Sequence, residues 1–328
     1  MTRLLVFEYL HAAPAMFRCA GTTMRSEGRA MLEALLEDAR CLSDSDVSCL
    51  LCEEAAQRLS AEVTAGVSMK FCRDGDDVLA QLCQAAGAAD IVVPVAPETD
   101  ELLLRVAEVL EETNAKVLLP PTSVIRYCSD KLRTWEKFSA AGVAVVPTAP
   151  MTDAPPGADD VVKHRLGAGC EGIFRGKMPT DGRPEDYILQ PWIGGCPLSV
   201  GVLANAEGNC VLPPTEQRIR WDNGTPRYRG GIIPADVSES MLTQARRIAD
   251  RVLIQVGSFS GYLGIDLIAT TDGIVLLNEI NPRLCTSYIG YRRLLPINPL
   301  DVMLGTLRAG DVQTDEGSVE FTADGMIL

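Results

Sequence analysis

Two carboxylates and an amide stand at matched distances from a turn near the C-terminal end. Gly264-Ile-Asp266 and Asn278-Glu279-Ile-Asn281 flank Asp272-Gly273. An Asp-Gly pair between two apolar runs signals a two-residue hairpin turn. With the turn centred there, Asp266 falls opposite Glu279, and alternation puts Asn281 on the face of Glu279. Like charges opposed across strands repel. A divalent cation reverses that penalty, and an all-oxygen set suits Mg²⁺, one or two ions, with Mn²⁺ as a substitute and phosphate oxygens completing the shell. The alternative is an exposed hairpin with its carboxylates in water, or a register slipped by one residue, which sends them to opposite faces.

A second cluster is Gly167-x-Gly169-x-x-Gly172 with Lys163 just before it. The spacing matches the dinucleotide fingerprint, but the following residues, Ile173 to Pro184, hold too many breakers for the helix that a pyrophosphate needs. No Gly-Lys-Ser/Thr follows, so it is no Walker loop either. The glycines instead suit a strand–loop–strand flap whose amides cover phosphates, with Lys163 placed to neutralise their charge; the alternative is a plain flexible hairpin. Lys131, in a first helical turn, is unfavourable beside the positive end of the helix dipole and would fit an anion there; the alternative is an ordinary surface lysine. Arg227, Arg229 and Gly230-Gly231 form a basic loop suited to an anionic substrate or a phosphoryl group, or simply to solvent.

The chain has 328 residues, enough for two or three packed units, and a formal net charge of −14, which argues against a nucleic-acid partner. No stretch approaches the roughly 20 apolar residues that cross a bilayer. Eleven cysteines behind an N-terminus without a secretory leader suggest reduced thiols in a cytoplasm. Cys49-x-x-Cys52 is the one close pair, and it reads as two buried thiols rather than a metal or redox site.

The elements that must position these residues follow from periodicity. Leu4–Phe7, Val47–Leu51, Val67–Cys72, Ile91–Val95 and Lys116–Leu119 read as strands, and segments 24–40, 76–87 and 99–112 as helices. That alternation predicts an α/β unit with a parallel, doubly wound sheet. Glu8 and Glu98 then stand at the carboxyl ends of strands, where such sheets collect ligands. Asp130 caps a helix that begins at Lys131 and ends at Ala141-Gly142, before a strand Val143–Val146. A loop runs from Pro147 to Gly157. Further strands cover Asp160–Lys163 and end at Gln190-Pro191-Trp192-Ile193, and a helix lies near 238–256.

Taken in order, these residues resemble the ATP-grasp superfamily over roughly residues 120–310. The resemblance implies a Rossmann-like pre-ATP-grasp domain (1–120), a small subdomain with the flap (121–190) and a C-terminal subdomain with the metal site (191–328), α+β in this C-terminal part. It implies ATP between the subdomains, with Lys131, Lys163, Gly167, Gly169 and Gly172 around its phosphates and Gln190, Pro191, Trp192 and Ile193 around its adenine. Gln190 departs from the glutamate usual in that hinge. Asp266, Glu279 and Asn281 take the place of the metal ligands. Arg283 matches the arginine of Glu-x-Asn-Pro-Arg, which stabilises the transferred phosphoryl group.

Phe7-Glu8-Tyr9, Ala96-Pro97-Glu98, Tyr228-x-Gly230-Gly231 and Asn281-Pro-Arg-Leu-Cys-Thr286-Ser287-Tyr288 look more narrowly like tyramine–glutamate ligases of methanofuran biosynthesis. Cys285 stands where that family usually has Thr. The expectation is an ADP-forming ligase that activates a carboxylate, the γ-carboxylate of L-glutamate, for an aromatic amine such as tyramine or tyrosine. Another amino-acid or peptide ligase, or a small-molecule kinase, is the alternative. On this reading Arg229 holds the α-carboxylate of glutamate, Glu8 or Glu98 an ammonium, and Tyr228, Thr286 and Ser287 contact substrate. Neither His11 nor His164 is required as a base. The partners are small molecules, neither nucleic acid nor membrane, and a homodimer is allowed for.

Overall fold

Alternate residues of the first strand serve two different cores, and this fixes the N-terminal architecture. In the computed structural model, which describes residues 1–152, 154–179 and 182–328, β1 (Thr2–Glu8) lies at the centre of a sheet. Leu4 and Val6 pack against Leu32, Leu35 and Leu36 of the Thr22–Arg40 helix on one face. Leu5 and Phe7 pack against Leu82, Leu103 and Val106 on the other. Asp153, in the expected Pro147–Gly157 loop, and Thr180 and Asp181, beyond the glycine turn, lie outside the described residues.

The other strands are β2 (Ser45–Cys52), β3 (Ser68–Cys72), β4 (Ile91–Val95) and β5 (Lys116–Val117), in the order β3-β2-β1-β4-β5 and all parallel. Strand order reverses at β1, between β2 and β4, which is where open α/β sheets leave a crevice at their carboxyl ends. Glu8 closes β1 there and Glu98 follows β4. The last strand is shorter than its apolar run, because Pro120 and Pro121 follow it and cannot donate to a ladder.

A second, antiparallel sheet contains β6 (Ala149–Pro150), β7 (Asp160–His164), β8 (Ile173–Arg175) and β9 (Tyr187–Pro191), in the order β6-β9-β7-β8. The third has β10 (Gly195–Asn205), β11 (Gly208–Val211), β12 (Thr215–Asp222), β13 (Thr225–Ile233), β14 (Gly261–Thr270), β15 (Val275–Asn281) and β16 (Val319–Thr322). Its order is β15-β14-β10-β12-β13-β16, with β11 on β10. The Glu239–Val256 helix packs Ala245, Ala249 and Val252 against Leu263, Ile265 and Leu277 of this sheet.

The expected strand Val143–Val146 does not form. It makes one parallel bridge, Val145 to Leu277, through the Leu277 amide to Ala144 O at 2.8 Å and the Val146 amide to Leu277 O at 2.8 Å. Pro147 has no amide to extend it. The Thr22–Arg40 helix is tied to the C-terminal part through buried Asp38. Arg292 donates to both of its oxygens at 2.6–3.1 Å, and Tyr288 Oη donates at 2.7 Å. Among the described residues no helix is long and apolar enough to cross a membrane.

Candidate active site

The β14–β15 hairpin differs from its sequence reading in two places that cancel. The Thr270 amide bonds Ile274 O, so the loop holds three residues, Thr271-Asp272-Gly273, and Gly273 takes φ 89°. From there Ala269 pairs with Val275 and Leu267 with Leu277, one residue off the expected register. A bulge at Asn278 restores it. Asp266 pairs with Glu279 and Gly264 with Asn281. The extra residue of a bulge also re-aims side chains. Asn278 and Glu279 are consecutive, yet both line the same cavity with Asp266 and Asn281.

Around Asp266, Asn281 Nδ2 donates to Oδ2 at 2.9 Å and Gln217 Nε2 of β12 to Oδ1 at 3.2 Å. Burial, then the charge of Glu279, raises the Asp266 pKa. Burial pushes Glu279 the same way, but the ammonium groups of Lys131 and Lys163 override it and hold its carboxyl low. Lys131 Nζ lies 3.4 Å from Glu279 Oε2, and Lys163 Nζ donates to Asn278 Oδ1 at 2.9 Å. Burial lowers the Lys163 pKa, Glu279 opposing and Lys131 adding to the fall. Among the described residues no three His, Cys, Asp or Glu side chains form a metal cage. Two carboxylates with amide oxygens still fit Mg²⁺, which takes one or two protein carboxylates and fills its shell with water and phosphate. Their mutual repulsion is the feature a cation would relieve.

Asp130 accepts from the Leu132 and Arg133 amides and so starts the Lys131–Ala140 helix, leaving Lys131 on its first turn. Lys131 Nζ also donates to Gly167 O at 2.6 Å, tying the glycine loop to the carboxylates. That loop joins β7 to β8, where Lys163 pairs with Ile173. Gly169 has φ 61° and open space around it; Gly172 also has positive φ and faces the second cavity.

Arg283 is engaged. Its Nε and Nη2 donate to Glu98 Oε2 at 3.1 and 2.8 Å, and Nη1 to Leu284 O at 3.0 Å. Burial opposes its charge, and Glu98 more than restores it. Glu98 lines neither cavity and serves the arginine, with Oε1 buried and unpartnered. Glu8 caps the turn Tyr9–Ala12 by accepting the His11 amide at 2.9 Å and pairs with His11 Nδ1, although it also borders the second cavity. Arg229 does not reach either cavity. It alternates with Tyr228 on β13, so Tyr228 faces the first cavity and Arg229 solvent. Arg227, read from the sequence as part of the same basic loop, borders the second cavity.

The first cavity, about 340 Å³, runs from the carboxylates to Val146, Val161, Pro191, Trp192 and Ile193. Gln190 Nε2 donates to Thr148 Oγ1 at 2.9 Å, and Trp192 stacks edge-on against Trp221 at 4.9 Å with Arg175 over its face. Thr286 and Ser287 line its inner end. A second cavity of about 470 Å³ lies between the flap and the N-terminal sheet, lined by Glu8, Thr23, Glu27, Glu171 and Arg227. Glu27, Asn278 and Gln217 escaped the sequence reading. Asn278 alone left a signal, the odd residue that a three-residue turn requires.

The family model for the pre ATP-grasp 3 domain matches residues 50–125, and that for the ATP-grasp domain matches residues 128–287. The tyramine–L-glutamate ligase of Methanocaldococcus jannaschii is 26% identical over 203 residues, 62% of this chain and 58% of that protein, less than two thirds of its length. A crystal structure of an ATP-grasp superfamily protein from Archaeoglobus fulgidus superposes with a TM-score of 0.75 at 21% identity, over 98% of this chain and 92% of that one. The biotin carboxylase domain of Hydrogenobacter thermophilus 2-oxoglutarate carboxylase, solved with MgADP, ADP and bicarbonate, gives 0.74 at 16% identity over 97% of this chain and 73% of that one.

Proposed function

This chain carries a pre-ATP-grasp domain followed by an ATP-grasp domain, and on that premise we propose that it is an ADP-forming ligase joining a carboxylate to an amine through an acyl phosphate. One observation carries the reading. Lys131, Lys163, Asp266, Asn278, Glu279 and Asn281 converge at one end of a cavity whose other end is apolar. That polarity suits ATP, with its base among Val146, Pro191 and Trp192 and its phosphates against the cations.

Asp266, Glu279 and Asn281 would hold Mg²⁺, which would supply positive charge against the phosphates. Lys131 and Lys163 neutralise the same charge, and Arg283, held by Glu98, faces the group being transferred. Transfer to a carboxylate needs positioning and electrostatics rather than a nucleophilic side chain. The Gly167–Gly172 flap, tied down by Lys131, keeps water from the acyl phosphate. The working division is 1–120, 121–190 and 191–328.

For the substrates we take the γ-carboxylate of L-glutamate and an aromatic amine, tyramine, tyrosine or a relative, as in methanofuran-type cofactor biosynthesis. The support is the likeness to the tyramine–L-glutamate ligase and the polar second cavity beside the phosphate end. The test is ADP release with glutamate alone, amine alone, both, and neither, followed by mass spectrometry. Amide formed only with both substrates supports the reading. A phosphorylated product without amide makes the protein a kinase, and ATP turnover with another amine alone removes the aromatic assignment.

A further inference from the structure

Among the described residues, six line both cavities, and two of the six are charged: Arg283 and Glu27. Arg283 is committed to Glu98. Glu27, on the Thr22–Arg40 helix, makes no salt bridge among the described residues, and its hydrogen-bond partner there is Thr286 Oγ1, donating to Oε2 at 3.1 Å. Of the other acids near here, Glu8 is held by His11 and Glu98 by Arg283, and Glu171, exposed on the flap, borders the second cavity but not the first. Asp38, on the same helix, is locked to Arg292 and Tyr288, so Glu27 sits on a fixed support.

Resting on the ligase reading above, we propose that Glu27 receives the incoming amine: its carboxylate binds the substrate ammonium where the two cavities meet and takes the proton that frees the nitrogen. The step balances. One proton passes from the ammonium to Glu27, and the freed lone pair forms the C–N bond at the acyl carbon. The C–O bond to the phosphoryl oxygen breaks, its electron pair leaves on phosphate, and the second nitrogen proton goes with that phosphate. A resting affinity suited to this exists. Burial first raises the Glu27 pKa, Thr286 and Arg283 lower it, Glu171 raises it, and the result is about 7. Cys170 on the flap and Tyr228 on β13 are the other titratable groups facing it. General base catalysis is most effective when the pKa lies near the working pH.

The experiment lets the amine compete with hydroxylamine, which is neutral near pH 7 and needs no ammonium anchor. Wild type and Glu27→Gln are given ATP, Mg²⁺, glutamate, amine and hydroxylamine, and the ratio of amide to hydroxamate is measured by mass. The ratio should fall by roughly 100-fold in Glu27→Gln, at the low end of the range for a lost general base, with a raised KM for the amine. The acid limb of the amine step near pH 7 should vanish with it. Should Glu27→Gln not fold, Glu27→Asp and Thr286→Val must lower the same ratio by smaller factors. An unchanged ratio and pH profile overturns the role of Glu27 while the ligase reading stands. No ADP, amide or hydroxamate from wild type with any carboxylate overturns both.

Discussion

Asp266 and Glu279 face each other across β14 and β15 only because Asn278 adds a residue to one strand. The bulge converts what would be a one-residue slip into a shared face, and it adds Asn278 itself, which holds Lys163. The carboxylate pair, its lysines and the bulge therefore work as one unit.

Glu279→Gln removes one charge from that unit at nearly constant shape. Turnover measured as ADP release at saturating Mg²⁺ should fall by at least ~100-fold, given that metal and oxyanion-stabilising groups are worth about 3–4 kcal/mol. Circular dichroism should show an intact fold. Wild-type rates in this variant would remove the metal assignment.

The flap prediction concerns Gly169. Its φ of 61° is one that a β-branched residue scarcely adopts, although the space around it is open. Gly169→Val is expected to raise the KM for ATP through the backbone, not through a clash. Unchanged ATP binding and turnover would mean that this loop does not cover phosphates.

Arg227 and Arg229 are both exposed, but of the two only Arg227 borders a cavity. Arg227→Ala should raise the KM for the carboxylate substrate by roughly 10- to 100-fold, the value of a charge-assisted hydrogen bond. Arg229→Ala should change it no more than about twofold, as expected of an exposed substitution. Steady-state kinetics with varied glutamate decide; the reverse pattern would remove the substrate from the second cavity and place it beside Arg229.

Glu27 should also leave a mark on stability. Burial lifts its folded pKa to about 7, above the ordinary carboxyl value of 4.5. The folded state therefore binds more protons between those values, and stability falls as pH rises through that window. Glu27→Gln does not titrate, so its melting temperature should gain on wild type from pH 4.5 to 7 and keep that margin above. A margin independent of pH would show that Glu27 titrates normally.

The first strand, the Asp130 cap, the strand–glycine loop–strand and the spacing of Asp266, Glu279 and Asn281 were all legible in the chain, because each depends on residues close in sequence. The hairpin reading reached the correct pairing through a turn that does not exist; the real loop is one residue longer, and a bulge, invisible to periodicity, absorbs the difference. The strand at Val143–Val146 failed because a strand needs a partner ladder, and Pro147 leaves room for only one bridge. Partner choice also lay beyond the sequence. Nothing local distinguishes Glu98, which holds Arg283, from Glu27, which is left facing the cavity, or Arg229 from Arg227. Those differences arise where segments more than 180 residues apart meet, as Arg283 and Glu98 do across 185 positions. The chemistry available was written in residue types and spacings; which charge is spent on the protein and which is left for a ligand was decided by tertiary packing, since a buried charge is held by whichever counter-charge folding brings within reach.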